Sequence, residues 1–90
     1  MKSARILIID DPHAAEPWLG ELTEVPAWSI EHVADVPLAD ARIEAGWPDL
    51  LVIAHRPPAR DGLEHLAAIR RVDPELPVIL IAQSADLHVA

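Results

Sequence analysis

A chain of 90 residues of which about half are apolar is long enough for one folded domain, too short for two, and not disordered. Its formal charge of −8 repels phosphate backbones, so DNA binding would need another domain that this sequence does not contain. It has no cysteine for disulfides or thiolate metal sites and no candidate signal peptide or membrane span, so we expect a cytoplasmic protein without membrane contact.

The first quarter of the chain predicts a strand followed by a helix. In residues 5–9 a continuous apolar run follows Arg5 and ends at Asp10 and Asp11, as expected for a strand buried on both faces of a sheet. Apolar residues then recur at helical spacing over residues 13–25. These residues are Ala15, Trp18, Leu19, Leu22 and Val25.

A second strand and helix follow. Residues 28–33 alternate in polarity like a half-exposed edge strand. Asp35 is placed to cap a short helix, and Gly46 is a plausible stop for it. The apolar face predicted for this helix consists of Leu38, Ala41 and Ala45.

The last elements repeat the alternation. Residues 50–54 are fully apolar and predict a buried strand. Asp61 is placed to cap a helix that ends near the Asp-Pro pair at residues 73–74. The apolar face predicted for it consists of Leu63, Leu66, Ala67 and Ile69. Residues 77–82, PVILIA, predict the last strand.

The resulting order βαβαβαβ predicts an α/β fold with an open parallel sheet and helices on both faces. In such folds ligands bind beyond the carboxyl ends of the strands. The residues expected at that edge are Asp10, Asp11, Ala54, Ala82 and Ser84.

Several motifs together resemble the receiver domain of bacterial two-component response regulators. They are RILIIDD at residues 5–11, PDLLVI at 48–53, Pro58, the triplet Asp61-Gly62-Leu63, and PVILIA at 77–82. The resemblance covers essentially all 90 residues as a single domain. It implies a flavodoxin-like sheet in the order 2-1-3-4, truncated after the fourth strand so that the family's fifth strand is missing.

The resemblance also assigns the site. The family's acidic pair matches Asp10 and Asp11, but its phosphoacceptor position is occupied by Ala54 and its hydroxyl position by Ala82. A methyl group cannot accept a phosphoryl group, and it removes one of three carboxylates that would hold Mg²⁺. We therefore expect no phosphorylation at the usual position, no catalytic residue, and at best a weak Mg²⁺ site at Asp10 and Asp11 as the only cofactor. The alternative for this pair is ordinary turn and helix-start residues.

Other polar residues suggest less. His55 follows Ala54 and could in principle bind metal or accept phosphate, but we expect polar surface. Asp49 and Asp61 are the candidate acceptors outside the family position. The basic residues near the third helix are expected to be solvated charge, or to position an acidic partner. They are Arg56, Arg60, Arg70 and Arg71.

The end of the chain predicts an interaction surface. Residues 84–90 begin a helix too short to be stable alone. Without a fifth strand, the last strand would be an exposed apolar edge that invites pairing with a protein partner or a second copy. The residues of this edge are Val78, Ile79, Leu80 and Ile81.

We therefore expect a degenerate receiver-like module of a two-component or transcriptional regulator, not an enzyme, that acts by protein contact or dimerisation. One alternative is a receiver-like domain that binds a small ligand in a pocket lined by Ala54 and Ala82. The other is a phosphoacceptor that uses Asp49 or Asp61.

Overall fold

Strands and helices alternate along the whole described part of the chain. The computed structural model describes residues 4–82, apart from the side chains of residues 16–19 and 21–22. The elements are β1 (Ala4–Ile9), α1 (Pro12–Thr23), β2 (Trp28–Val33), α2 (Val36–Glu44), β3 (Leu50–His55), α3 (Gly62–Val72) and β4 (Val78–Ala82). The strands form a parallel sheet in the order β2-β1-β3-β4. The predicted flavodoxin-like order is confirmed. The chain extending to residue 90 as one domain stays a prediction.

The apolar run of β1 lies in the middle of the core because both of its faces are covered. Ile9 pairs with Val33 of β2 on one side and with Ile53 of β3 on the other. Alternate residues of the strands point to opposite faces of the sheet, which separates the core into two clusters. The larger cluster packs the sheet against α2 and α3 and comprises Leu7, Ile9, Val33, Ala39, Ile43, Leu51, Ile53, Ile69 and Leu76. The smaller cluster on the opposite face comprises Ile6, Ile8 and Val52.

The apolar face predicted for α2 is wrong. The helix is where the sequence placed it, but Ala39 and Ile43 are its buried residues, while Leu38, Ala41 and Ala45 are exposed. A helix of nine residues has two apolar stripes of similar strength, and its periodicity does not choose between them. The position of the sheet makes that choice.

The prediction for α3 is correct in its limits and correct in part for its face. Ile69 is buried and Leu66 is half-buried, but Leu63 and Ala67 are exposed. Asp61 caps the helix as predicted, because its Oδ1 accepts the Glu64 N–H at 3.0 Å.

Both ends of α2 carry the residues that were predicted for them. Asp35 occupies the cap position in extended conformation, but its side chain accepts no capping hydrogen bond. Gly46 has a φ of 72°, the left-handed conformation that ends a helix and favours glycine.

Two predictions lie outside the described residues: the packing of Trp18, Leu19 and Leu22 in α1, and the helix over residues 84–90. Ala15 of α1 is buried as predicted, and Val25 is half-buried beyond the end of that helix. Among the described residues, no helix combines the length and the apolar character that crossing a bilayer requires.

Candidate functional site

The carboxyl ends of β1 and β3 bring Asp10 and Ala54 side by side. The last paired residues of these strands are Ile9 and Ile53, and the next position on each is Asp10 and Ala54. On the other side of β3, Ala54 pairs with Ile81. These residues meet because parallel strands end at one edge of a sheet.

Ala82 and His55 lie one step further along. They are paired across β3 and β4, so Ala82 is adjacent to the site and supplies no hydroxyl there. The edge predicted from the sequence is therefore assembled as expected for Asp10, Ala54 and Ala82. Ser84 lies outside the described residues.

Asp10 is fully buried, and a neighbouring arginine neutralises it. Arg56 follows β3 and donates two parallel hydrogen bonds, from Nε to Oδ1 and from Nη2 to Oδ2, both at 3.0 Å. Asp10 Oδ1 also accepts the N–H of Asp11 at 2.8 Å. A bidentate guanidinium is the geometry that best satisfies a buried carboxylate.

This ion pair also keeps Arg56 charged. The side-chain hydrogen bond to Asp10 raises the pKa of Arg56 above its usual value, and the charges of Asp10 and Asp11 raise it further, against burial, which lowers it. The guanidinium is therefore a permanent positive charge at any pH at which the protein would be handled.

The two aspartates of the acidic pair have different roles. Asp11 is exposed, its Oδ1 accepts the His13 N–H at 2.9 Å, and its carbonyl oxygen accepts the N–H groups of Ala14 and Ala15. Asp11 is therefore a helix-start residue of α1, which is the alternative that the sequence left open for the pair. Asp10 does not fit that alternative, because it is buried and paired with Arg56.

The expectation of a solvated basic cluster is wrong for Arg56. Its side chain is only 20% exposed, whereas Arg71 is exposed on α3. Arg60 is half-buried and donates from Nη2 to the Ala34 carbonyl oxygen at 2.9 Å. The position of Arg56 in the sequence could have indicated its pairing with Asp10. Asp10 and Arg56 follow neighbouring parallel strands, whose ends must meet.

His55 is a structural residue and not polar surface. It is half-buried, and its Nδ1 accepts the N–H of Gly62 at 3.1 Å, which satisfies one of the free donors at the start of α3. Asp61 Oδ1 lies 3.8 Å from the same nitrogen. His32 approaches from β2, and its Nε2 donates to the carbonyl oxygen of Asp10 at 2.9 Å.

Gly62 allows α3 to approach β3 closely. A Cβ atom at this position would lie 2.3 Å from the Ala54 carbonyl oxygen and 2.9 Å from its carbonyl carbon. Only glycine fits this contact without displacement of the strand. The first turn of α3 therefore lies directly against the backbone of Ala54.

The other acceptor candidates are elsewhere. Asp49 lies at the opposite end of the sheet, where its Oδ2 accepts the Arg5 N–H at 2.8 Å. Asp61 is exposed and caps α3. A shallow concavity lies between α2 and α3, away from Ala54, and is lined by Asp40, Ile43, Glu44, Ala68, Ile69 and Val72.

The residues at the site do not fit a magnesium ion. Asp10 gives both oxygens to Arg56, Asp11 is turned to the start of α1, and Ala54 offers a methyl group. Within residues 4–82 no group of three or more acidic, histidine or cysteine residues is arranged to hold a metal. Magnesium prefers several oxygen ligands, whereas Arg56 already binds both oxygens of Asp10 and Ala54 provides none.

Comparisons with known proteins agree on the family. The model of the response regulator receiver domain matches residues 6–90. The C4-dicarboxylate transport transcriptional regulatory protein DctD of Pseudomonas aeruginosa is 32% identical over 85 residues, which are 94% of this chain and 18% of that protein. The chain therefore spans less than a fifth of the length of this curated relative.

Solved structures show the same fold. A LuxR-family two-component response regulator from Aurantimonas sp. SI85-9A1 superimposes with a TM-score of 0.75 at 23% identity, covering 98% of this chain and 66% of that one. A CheY-like response regulator receiver domain protein from Methanospirillum hungatei JF-1 gives 0.74 at 24% identity, covering 98% and 72%. Since the family model extends over nearly the whole sequence and the sheet order agrees, the chain belongs to the response regulator receiver domain family of two-component signalling.

Proposed function

We propose that this receiver domain signals without phosphorylation at the usual position and acts through protein contact. The observation that carries the proposal is Ala54, whose side chain is a methyl group, 1% exposed, at the carboxyl end of β3. Phosphoryl transfer needs a nucleophilic oxygen and groups that stabilise the transferring charge. Ala54 supplies no oxygen and Ala82 supplies no hydroxyl.

The other acidic residues are poor substitutes as acceptors. Asp10 is buried under two hydrogen bonds from Arg56, so neither of its oxygens is free to attack a phosphodonor. Asp49 lies at the far end of the sheet, and Asp61 holds the first turn of α3. The domain is thus proposed to be a non-enzymatic module, in which none of these three aspartates replaces the missing acceptor.

The small-ligand alternative has little support from the structure. A ligand pocket lined by Ala54 would need open space beyond the end of β3. The Ala54 side chain is almost fully buried, and neither Ala54 nor Ala82 lines the concavity between α2 and α3.

A second copy of this chain is the proposed partner, through the edge of β4 that faces away from β3. Within residues 4–82, β4 pairs with β3 on one side only. Ile79 is 51% exposed and Leu80 is 38% exposed. The strand VILIA has no charged residue, the usual device against edge pairing. Antiparallel pairing of two β4 strands would satisfy backbone groups and cover these side chains.

The relative named above suggests the setting. DctD is a transcriptional regulatory protein, and the present chain matches a small part of it. We propose that this receiver regulates transcription from a longer protein. Its charge of −8 opposes DNA, so any DNA contact would come from an output domain.

Intact-mass measurement tests the absence of phosphorylation. The chain is incubated with Mg²⁺ and acetyl phosphate beside a receiver domain that has an acceptor aspartate. The control is expected to gain the mass of one phosphoryl group, and this chain is expected to gain none. A phosphoryl adduct on this chain would overturn the proposal, and peptide mapping would identify the acceptor. In a parallel arm, a gain by Ala54→Asp alone would localise the defect to the missing carboxylate.

Sedimentation velocity over a concentration series tests the contact. The chain is expected to dimerise, and Ile79→Lys is expected to shift it to monomer because a charged side chain on an edge strand opposes pairing with another strand. Val72→Lys is the matched control, since Val72 is 56% exposed on α3, away from the edge. A chain that stays monomeric at high concentration, or equal effects of both variants, would refute pairing through β4.

A further inference from the structure

The acidic site at the end of β1, formed by Asp10 and Asp11, already contains a cation that belongs to the chain. The guanidinium of Arg56 binds both oxygens of Asp10 at 3.0 Å, and the Arg56 side chain is 20% exposed. Asp10 itself is fully buried. A buried carboxylate requires a partner charge, and here that charge comes from the loop after β3.

The same arginine fixes that loop. The backbones of Arg56 and Arg60 exchange two N–H to carbonyl hydrogen bonds of 2.9 Å, which closes residues 56–60 into a compact turn. Arg60 then donates to the Ala34 carbonyl oxygen after β2. The loop is thus attached to the ends of both β1 and β2 by its two arginines.

We propose that Arg56 takes the place of a divalent metal ion at this acidic site, so that the loop between β3 and α3 is held in one arrangement without Mg²⁺. A metal would compete for the oxygens that Arg56 binds, and it would find no carboxylate at Ala54 to offset the loss. The guanidinium also cannot lose its charge, so its hold on the loop is permanent. This replacement concerns the charge at the acidic site and does not depend on the contact through β4.

Thermal unfolding of the whole chain tests the replacement. Melting is followed in millimolar MgCl₂ or MnCl₂ and in NaCl of matched ionic strength, for the parent, Arg56→Met and Arg71→Met. Methionine keeps the length of the side chain and removes its charge. Arg71→Met makes the same change of charge at an exposed position of α3.

The expected result separates the variants. The parent and Arg71→Met should show no saturable rise in melting temperature with Mg²⁺ over NaCl. Arg56→Met should melt lower than the parent and regain several degrees with Mg²⁺, because Asp10 is then free for a metal. A saturable rise in the parent equal to that in Arg56→Met would overturn the proposal, as would the absence of a rise in Arg56→Met.

A second measurement remains decisive if Arg56→Met does not fold. In the parent, Mn²⁺ broadens the amide NMR signals of any residues that bind it. We expect the signals of Asp10 and Asp11 to broaden no more than those of exposed acidic residues such as Glu75. Selective broadening of the amide signals of Asp10 and Asp11 would show that a metal binds at the acidic site in the presence of Arg56, and would overturn the proposal.

Discussion

The contact between Gly62 and β3 offers a sharp test of how the site is built. The substitution Gly62→Ala would place a Cβ atom 2.3 Å from the Ala54 carbonyl oxygen, where ordinary contacts begin at 3.4 Å. The strand cannot retreat easily, because β3 is hydrogen-bonded to β1 on one side and to β4 on the other. The helix must therefore shift by about 1 Å, away from the core it packs against.

The magnitude follows from two opposing effects. Replacing a helical glycine by alanine stabilises a protein by roughly 0.5–1 kcal/mol when there is space for the methyl group. Overpacking a close contact costs about 1–3 kcal/mol. We expect Gly62→Ala to lose about 1–2 kcal/mol net, which corresponds to a fall in melting temperature of roughly 4–16 °C for a domain of this size.

Gly20 supplies the matched control. It lies inside α1, and no described atom lies within 4 Å of the position its Cβ would take. Gly20→Ala should therefore gain about 0.5–1 kcal/mol. Urea denaturation followed by circular dichroism measures both variants against the parent. If Gly62→Ala were as stable as Gly20→Ala, α3 would not be seated against the Ala54 carbonyl group, and the reasoning would be refuted.

Three further contacts are tested by substitution in the same denaturation assay. Asp61→Ala removes the cap of α3 and should cost about 1 kcal/mol, whereas Asp35→Ala should cost clearly less because no side-chain cap exists there; equal losses would contradict the difference. His55→Ala leaves the Gly62 N–H without its acceptor and should cost about 1 kcal/mol, and a neutral result would mean that water replaces the ring. Arg56→Met leaves Asp10 buried and unpaired and should cost about 3–5 kcal/mol, and adding Asp10→Asn should recover much of this. A loss under about 1 kcal/mol, the size of a surface pair, would show that the Arg56 ion pair is not buried in solution.

The order of elements was predictable because it depends on local patterns. Continuous apolar runs, a capping aspartate such as Asp61 and a stop such as Gly46 act within a few residues of themselves. The parallel topology then follows from the alternation of strands and helices. The limits of β2 were correct to the residue, since the turns on either side contain strong signals of their own.

The buried face of a helix was less predictable. In α2 the sequence allows one stripe through Leu38 and another through Ala39 and Ile43. Only the second is buried, because the sheet and α3 lie on that side. Position relative to neighbouring elements decides such cases.

At the candidate site, too, some features were predictable from the sequence and others depended on the tertiary structure. The sequence by itself placed Ala54 near the carboxyl end of β3, and the resemblance to receiver domains assigns the family's phosphoacceptor position to that residue. It also brought Asp10 to the same edge, because neighbouring parallel strands end together.

Only the tertiary structure decided which side chains at that edge are buried and which residues they contact. It divided the acidic pair into a buried Asp10 and an exposed Asp11, and it turned Arg56 from expected surface charge into the partner of Asp10. Pairing between residues that are 46 positions apart depends on where the loop after β3 folds back. Burial then makes the pair obligatory, because a carboxylate removed from water must find a cation, and in this chain the guanidinium of Arg56 reaches it.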